Sequence, residues 1–279
     1  MVALSSETRI AVIGGGKMGE AIMGGWIASG EAPVDVLTRD NFIVADPGQA
    51  RRAALTQRYG VTCVADASAI DRADIVLLSV KPQVMMGVLA TVSALPFASE
   101  ALFVSIAAGL ETKRLEAFLP PASSLVRVMP NLPLLVGAGT TAVCAGSNAT
   151  GAVCTQVRDL FACLGKAYVV DESAMDAVGA LSGSGPAYVA ALIEHVRDAG
   201  VKQGLDADLA EALALQTVYG TARLIRETEQ TPEEVRVAVC SPGGTTLAAL
   251  AAMDASGIAA AYDAGVAAAV RRSEELGSC

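Results

Sequence analysis

Residues 9–19 read RIAVIGGGKMG, a short apolar strand pattern that runs into glycines and then into a helical segment. Gly14, Gly16 and Gly19 fit the spacing G-x-G-x-x-G, which in a strand–turn–helix setting is typical of dinucleotide binding. The first glycine permits a tight turn, the second lets a diphosphate approach the backbone, and the third lets helix and strand pack closely. A glycine-rich turn without a ligand is the alternative, but the strand before it and the helix after it favour dinucleotide binding.

The alternation of apolar strand and helix continues through the first 170 residues. Further strand candidates are 41–45, 61–64, 74–80, 101–106, 125–129, 141–144 and 167–170. Helical patterns at 49–59 and 149–164 lie between some of them. Near-continuous apolar strands that alternate with helices predict a mostly parallel sheet covered on both faces. We therefore predict an α/β dinucleotide-binding domain over residues 1–170.

The character of the sequence changes after Val170. Helical patterns fill the remainder, at 173–180, 185–203, 206–227, 232–239, 245–255 and 258–276. The charge balance changes at the same point, because residues 1–170 hold 13 basic and 13 acidic residues whereas residues 171–279 hold 7 and 16. Such asymmetry indicates two modules with different surroundings. We predict an all-helical second domain over residues 171–279.

The composition of the 279-residue chain excludes two classes of partner. A formal net charge of −9 disfavours binding to the phosphates of nucleic acid or to an anionic membrane surface. The hydrophobic fraction is high, at 53%, but the long uncharged segment 132–157 is interrupted by proline, glycines and polar residues. It therefore does not predict a membrane span. We expect much of the helical surface to be buried between subunits.

Neither the cysteines nor the single histidine predicts a metal site. The six cysteines include no CxxC pair, and a chain of this length needs no disulfides, so reduced thiols in the cytoplasm are expected. His195 stands alone in a helical segment and is expected to be structural or exposed. Residues 1–8 lack the basic and apolar regions of a signal peptide.

Polar residues at the ends of the predicted strands are candidates for cofactor contacts, because ligands of open α/β sheets bind outside the carboxyl ends of the strands. Asp46 follows the second strand, where a carboxylate bonds the ribose 2′-OH of NAD. Arg51 or Arg52 would instead meet the 2′-phosphate of NADP, and the sequence leaves this choice open. Lys81 and Asn131 end later strands, although an ordinary exposed loop lysine is the alternative for Lys81.

Two glycine-rich segments stand out in the helical part. Residues 241–246 read SPGGTT and open a helix, so free N–H groups and hydroxyls form a neutral pocket for a small carboxylate. Residues 181–188 read LSGSGPAY. Close packing between helices explains this second segment as well as a functional role does.

These segments together resemble the pyrroline-5-carboxylate reductase family. The matching stretches are GGGKMG at 14–19, SVKP at 79–82, SIAAG at 105–109, MPNLP at 129–133, LSGSGPAY at 181–188, DAGVKQGL at 198–205 and VCSPGGTTLAALAAMD at 239–254. They cover nearly the whole chain in the order of the family. The resemblance implies NAD(P)H-dependent reduction of L-1-pyrroline-5-carboxylate to L-proline. It implies a Rossmann domain and a helical domain that interlocks with its twin in a homodimer, in many members assembled further into decamers, with the site at the dimer interface.

The resemblance also assigns residues to the two sides of the site. The cofactor side takes Ile13, Gly14, Gly15, Gly16, Lys17, Met18, Asp46, Val80, Lys81, Pro82, Ala107 and Asn131. The substrate side takes Glu172, Ser241, Gly243, Gly244, Thr245 and Thr246. Thr246, whose hydroxyl is expected to bond the ring nitrogen, and Lys81 are the candidate catalytic residues. The chain departs from the family by an insertion near 31–41 and by Ala45-Asp46-Pro47 where Ser, Asn or Arg is common, so NADPH and NADH both remain open.

Two other functions are compatible with a glycine-rich turn. A β-hydroxyacid dehydrogenase needs a general base, usually a lysine on the helix after the second glycine-rich segment, but residues 187–196 contain none and Lys202 falls beyond them. A non-catalytic NADP sensor would retain residues 14–19 but would have no use for residues 241–246. An assay of NAD(P)H oxidation with pyrroline-5-carboxylate separates all three functions.

Overall fold

The computed structural model of the chain describes residues 4–278. By contacts it divides into two compact units, which we call the sheet unit (4–184 and 269–278) and the helical unit (185–268). This division falls after Ser184 because residues 171–184 pack on the sheet, where Met175 lies in a small core with Ala142 and Cys144. The assignment of functions to residues 1–170 and 171–279 stays a prediction.

One eight-stranded sheet forms the centre of the sheet unit, in the order β3-β2-β1-β4-β5-β6-β7-β8. The strands are β1 (Ile10–Ile13), β2 (Phe42–Ala45), β3 (Thr62–Val64), β4 (Ile75–Leu78), β5 (Leu102–Ser105), β6 (Ser124–Met129), β7 (Gly139–Ala145) and β8 (Gly165–Val169). Every neighbouring pair is parallel except β6 and β7, which are antiparallel. The predicted mostly parallel sheet is therefore confirmed. The chain leaves β1 toward β2 on one side and later returns to β4 on the other, so the topological switch point lies between β1 and β4.

Helices cover both faces of this sheet, as the apolar strands predict. They are α1 (Lys17–Ser29), α2 (Gln49–Tyr59), α3 (Pro82–Val92), α4 (Thr112–Glu116), α5 (Gly151–Ala162) and α6 (Met175–Val178). A π-helical turn, Gly179–Gly183, follows α6. Successive residues of β1 alternate between the two apolar cores, with Ile10 and Val12 in one and Ala11 and Ile13 in the other. This double burial is the reason why the strand has no polar residue.

Trp26, the only tryptophan of the chain, joins α1 to α5 within one of these cores. Its indole N–H donates to the Leu160 carbonyl at 2.7 Å, and its ring lies edge-on to Phe161 with 5.5 Å between centroids. The ring is 1% exposed. A buried tryptophan needs such an acceptor, because an unpaired buried donor is costly.

The helical unit contains α7 (Gly185–Lys202), α8 (Ala207–Thr228), α9 (Pro232–Ala238), α10 (Thr245–Ala255) and the beginning of α11 (Ile258–Ser278). The side chain of Asp206 caps α8, and a capping box of Thr231 and Glu234 begins α9 with Pro232 at its first position. The predicted helical character after residue 171 is therefore confirmed. Within residues 4–278, no helix is both long and apolar enough to span a bilayer.

Candidate functional site

The glycine-rich turn after β1 is closed by backbone contacts that require glycine. Gly14 has φ +100°, and a Cβ there would lie 2.8 Å from the Ser79 carbonyl oxygen. A Cβ on Gly19 would overlap the Gly14 carbonyl oxygen and lie 2.6 Å from Ser79 Oγ. The Ser79 hydroxyl donates to the carbonyls of Gly14 at 2.6 Å and Ile13 at 3.0 Å. The end of β4 thus fixes the turn after β1.

Gly16 differs from its neighbours because it faces open space. A Cβ on Gly16 would have no atom within 4 Å, and the residue is exposed. It is also the N-cap of α1, where no side chain caps the helix, so the first N–H groups of α1 are available to an anion. Lys17 is exposed beside them and Met18 is half-buried. A turn closed by Gly14 and Gly19 and open at Gly16 fits the diphosphate of a dinucleotide.

Asp46 follows β2, and its carboxylate is hydrogen-bonded both to the glycine-rich turn and to the loop after β2. Its Oδ2 accepts the Gly15 N–H at 2.9 Å, and its Oδ1 accepts the Gly48 N–H at 2.8 Å. Each oxygen retains a further lone pair for a ribose hydroxyl. The carboxylate is half-buried and carries its negative charge where the 2′ position of a bound dinucleotide is expected.

The two arginines that follow Asp46 are held by the protein itself. Arg51 donates to the Gly15 carbonyl, to the Gly16 carbonyl at 3.3 Å and to the Glu20 carboxylate. Arg52 donates to the Asp46 carbonyl at 2.7 Å and to the next carbonyl at 2.9 Å. Both are half-buried beside the turn.

Glu20, on the first turn of α1, was not foreseen as part of this region. Burial alone would raise its pKa, but the hydrogen bond and charge of Arg51, the Tyr59 hydroxyl and the charge of Arg58 together lower it. Arg58 Nη1 lies 2.9 Å from Glu20 Oε1. The sequence offered no signal, because Glu20 and Arg51 are 31 residues apart.

The end of β4 borders the switch point, and the end of β5 lies next to it in the sheet. Val80 is half-buried and its Cγ1 lies close to Gly14, while Lys81 is the exposed N-cap of α3 and Pro82 its first residue. Ala107, two residues after β5, is 4% exposed.

Asn131 follows β6 and is 8% exposed. Its amide Nδ2 donates to the Ser182 carbonyl at 3.1 Å, and its Oδ1 accepts the Thr140 N–H at 2.8 Å. The residue therefore ties the LSGSGPAY segment to the sheet, and one amide hydrogen remains for a ligand.

Glu172 is held within the sheet unit by a buried arginine. Arg127, on β6, is 3% exposed and donates through Nη1 to Glu172 Oε1. The same oxygen accepts the Thr112 N–H at 3.3 Å, and Oε2 accepts the Cys144 thiol at 3.3 Å. Burial, and then the hydrogen bond and charge of Glu172, raise the pKa of Cys144 to about 12. Sequence reasoning missed Arg127, although a single arginine within the apolar strand SLVRVM was a visible signal.

The SPGGTT segment of the helical unit forms a tight turn before α10. The Gly244 N–H donates to the Ser241 carbonyl at 2.9 Å, Gly243 has φ +69°, and a Cβ on Gly244 would overlap Ser241 Oγ. Gly244 is the N-cap of α10 without a side-chain cap, so this helix also opens on free N–H groups. Thr245 is exposed and Thr246 half-buried in the first turn.

An apolar groove of about 480 Å³ lies elsewhere in the helical unit. Tyr188, Leu192, His195, Met253 and Tyr262 are among its lining residues. His195 is exposed, as predicted. Among residues 4–278 there is no group of three or more His, Cys, Asp or Glu side chains arranged to hold a metal ion.

The sheet order, the switch point and the glycine-rich turn define the class of Rossmann-type dinucleotide-binding proteins. Residues 9–109 match the family described as "NADP oxidoreductase coenzyme F420-dependent", and residues 172–276 match "Pyrroline-5-carboxylate reductase dimerisation". The pyrroline-5-carboxylate reductase of Synechocystis sp. is 42% identical over 96% of this chain and 98% of its own. The chain belongs to the pyrroline-5-carboxylate reductase family.

Solved structures agree with this membership. A Plasmodium falciparum pyrroline carboxylate reductase with NADP bound superposes with a TM-score of 0.86 at 29% identity, covering 98% of this chain and 100% of its own. A pyrroline-5-carboxylate reductase from Coxiella burnetii gives a TM-score of 0.86 at 32% identity, covering 96% and 98%.

Proposed function

We propose that the chain reduces L-1-pyrroline-5-carboxylate to L-proline with a reduced nicotinamide dinucleotide. The observation that carries the proposal is the 42% identity to a pyrroline-5-carboxylate reductase over nearly the full length of both chains. The intact turn at 14–19 and the intact SPGGTT turn support it, because they are the two segments that the reaction needs.

The cofactor side of the proposal consists of the residues at the switch point. The N–H groups at the start of α1 and the open face of Gly16 would hold the diphosphate. Val80, Lys81, Pro82, Ala107 and Asn131 would border the nicotinamide. When bound, the dinucleotide supplies a hydride to the imine carbon and leaves oxidised, while the protonated imine nitrogen becomes the amine of proline.

The substrate side consists of the SPGGTT turn and Glu172. The uncapped N–H groups within the first turn of α10 suit a carboxylate, since a helix N-terminus carries partial positive charge. The Thr246 hydroxyl would bond the ring nitrogen. A protonated cyclic imine is already electrophilic, so positioning is the main requirement, and it supplies up to about 7–11 kcal/mol. Glu172 would contact the substrate through Oε2. Its Oε1 is already bonded to Arg127 and Thr112, whereas the described partner of Oε2 is the Cys144 thiol.

NADP is the expected cofactor, with NAD as the alternative. The Plasmodium relative was solved with NADP bound, and the family matched by residues 9–109 is named for NADP. Arg51 and Arg52 beside the turn favour a 2′-phosphate, whereas the Asp46 carboxylate favours a free 2′-OH. A comparison of kcat/KM for NADPH and NADH decides between them.

The proposed assembly is a homodimer through the helical region, with a decamer as a further step. The match of residues 172–276 to a dimerisation family supports the dimer. Large apolar side chains that are exposed on the helical unit support it as well, among them Val189, Leu209, Leu213, Tyr219 and Tyr262. Light scattering after size exclusion measures the number of chains. The free thiols of the five described cysteines agree with a cytoplasmic location, which belongs to the same proposal.

The proposal is tested by following NAD(P)H oxidation at 340 nm with pyrroline-5-carboxylate. Thr246→Ala should lower turnover more than it weakens dinucleotide binding, and Thr246→Ser, which keeps the hydroxyl, should restore most of the rate. Unchanged kcat/KM for the imine in Thr246→Ala would remove the role of this hydroxyl. Dinucleotide binding without any imine reduction would favour a sensor instead.

A further inference from the structure

The loop between β5 and α4, residues 106–111, carries Ala107, which the proposed function places beside the nicotinamide. The start of this loop is fixed to the sheet, because the Ile106 N–H donates to the Leu78 carbonyl at 3.1 Å. Its end is fixed by a side chain from another segment, since the Thr112 N–H donates to Glu172 Oε1 at 3.3 Å. The position of Ala107 therefore depends on where Glu172 is held.

The middle of the same loop packs against the last turns of α11, within the sheet unit. A Cβ on Gly109 would lie 3.1 Å from the Ser273 carbonyl oxygen, and a Cβ on Gly277 would lie 2.5 Å from the Gly109 carbonyl oxygen. Arg114 Nη1 also donates to the Gly277 carbonyl at 2.5 Å. The backbones of loop and helix are thus in direct contact.

Both contacts, that of Thr112 with Glu172 and that of the loop with α11, depend on the buried guanidinium of Arg127. Arg127 Nη1 is bonded to Glu172, and its Nη2 lies 3.7 Å from Asp176 Oδ1. The same Asp176 oxygen accepts the Ser273 hydroxyl at 2.7 Å. Arg127 is 3% exposed, so its charge is compensated by these two carboxylates rather than by water.

We propose that Arg127 is a positioning residue for hydride transfer, and this inference rests on the proposed function. Its guanidinium fixes two carboxylates: Glu172 holds the end of loop 106–111, and Asp176 holds α11 against the middle of that loop. The loop in turn sets the distance and angle at which Ala107 meets the nicotinamide ring. The glycine-rich turn, which holds the diphosphate, has no part in this network.

A role of Arg127 in positioning affects turnover but not dinucleotide affinity, whereas a general loss of stability would lower both. Loosening the network should misplace the nicotinamide while the diphosphate remains bound at residues 14–19. Turnover should therefore fall, and the dissociation constant of the dinucleotide should stay nearly constant. A misplacement of about 1 Å costs up to about 100-fold in rate.

Thr112 offers a matched pair of variants that leaves the buried charges in place. Thr112→Pro removes the N–H that Glu172 binds, whereas Thr112→Val keeps the N–H and nearly the same shape. Proline suits this position because Thr112 is the first residue of α4 and the preceding Glu111 has φ −66° and ψ 151°. Arg127→Lys is the second test, with Arg158→Lys, whose side chain is 40% exposed, as its control.

The experiment compares kcat, the dissociation constant of NADPH from nicotinamide fluorescence, the emission of the bound nicotinamide and the Tm of each variant. Thr112→Pro should have a kcat about 10- to 100-fold below that of Thr112→Val, with NADPH affinity within about twofold and a shifted emission. Arg127→Lys should change the same quantities in the same direction. Equal kcat and emission in the Thr112 pair, or a parallel loss of kcat and NADPH affinity, would overturn the inference. If the wild-type protein does not reduce pyrroline-5-carboxylate, only the proposed function fails, because the emission of bound NADPH needs no imine and still decides the role of Arg127.

Discussion

Gly16 and Gly19 belong to one turn, but alanine at these two positions should have opposite consequences. Gly16 has φ −62° and ψ −178°, which alanine adopts without strain, and its Cβ would meet no atom within 4 Å. Gly19→Ala would place its Cβ into the Gly14 carbonyl oxygen and 2.6 Å from Ser79 Oγ. Gly16→Ala should therefore fold as the wild type and bind dinucleotide poorly, whereas Gly19→Ala should lose stability.

The loss of NADPH affinity in Gly16→Ala and the loss of stability in Gly19→Ala have different physical causes. In Gly16→Ala the methyl group occupies the space through which a diphosphate reaches the N–H groups of α1. A charge-assisted hydrogen bond contributes about 1.5–3 kcal/mol, so its loss raises the Kd for NADPH about 10- to 140-fold. In Gly19→Ala the methyl group meets the Gly14 carbonyl, which the Ser79 hydroxyl holds in place, and overpacking of this kind costs about 1–3 kcal/mol.

The assays are fluorescence titration of NADPH and thermal unfolding by circular dichroism, applied to both variants at one protein concentration. Gly16→Ala should leave the Tm within about 2 °C of the wild type, because 1 kcal/mol shifts the Tm by about 2–4 °C in proteins of about this size. Wild-type NADPH affinity in Gly16→Ala would refute the assignment of the diphosphate to this turn. A Tm loss in Gly16→Ala equal to that in Gly19→Ala would refute the distinction between the two glycines.

Three further outcomes follow from other contacts. Asp46→Asn should raise the ratio of kcat/KM for NADPH to kcat/KM for NADH, because it removes a negative charge near the 2′ position, and an unchanged ratio would place the ribose elsewhere. The pKa of Cys144 rises from 9.0 to about 12 in the folded protein, so the stability that the protonated thiol contributes is complete below pH 9 and decreases as the pH rises toward 12. In urea unfolding, the free energy of unfolding should therefore fall less between pH 8 and pH 10.5 in Cys144→Ala than in the wild type. Trp26→Phe should reduce the free energy of unfolding by about 1–3 kcal/mol, because it leaves the buried Leu160 carbonyl without its donor, and denaturant titration followed by circular dichroism measures this loss.

The sequence was sufficient for the strands, for most of the helices and for the glycine-rich turn, because these features depend on neighbours along the chain; α3 and α4 were not predicted. The spacing from Gly14 to Gly19 specifies a local geometry, and apolar runs specify buried strands wherever they occur. The place of Asp46 directly after a strand was predictable for the same reason, since the end of a strand is a local feature. Its two bonds to backbone N–H groups were not predictable, because one of them reaches Gly15 from 31 residues away.

The limits of sequence reasoning appear where the chain returns to an earlier element. The last turns of α11 pack on the sheet unit, although their helical pattern is the same as that of the preceding turns. Asp176 and Ser273 meet across 97 residues, and Arg127 and Glu172 across 45. Periodicity specifies which face of a helix is apolar but does not specify which strand or loop that face will meet.

Arg127 shows that a violation of a local pattern carries information even when its partner is unknown. A strand of a doubly covered sheet is expected to be apolar, and β6 reads SLVRVM. A charge in that position costs several kcal/mol unless it is paired, so the sequence alone requires carboxylates from some other segment to face the strand. The structure identifies them as Glu172 and Asp176, which follow the sheet directly in sequence. Because such violations are expected where function opposes stability, the same arginine that breaks the strand pattern is the residue to which we assign the positioning of the loop beside the cofactor.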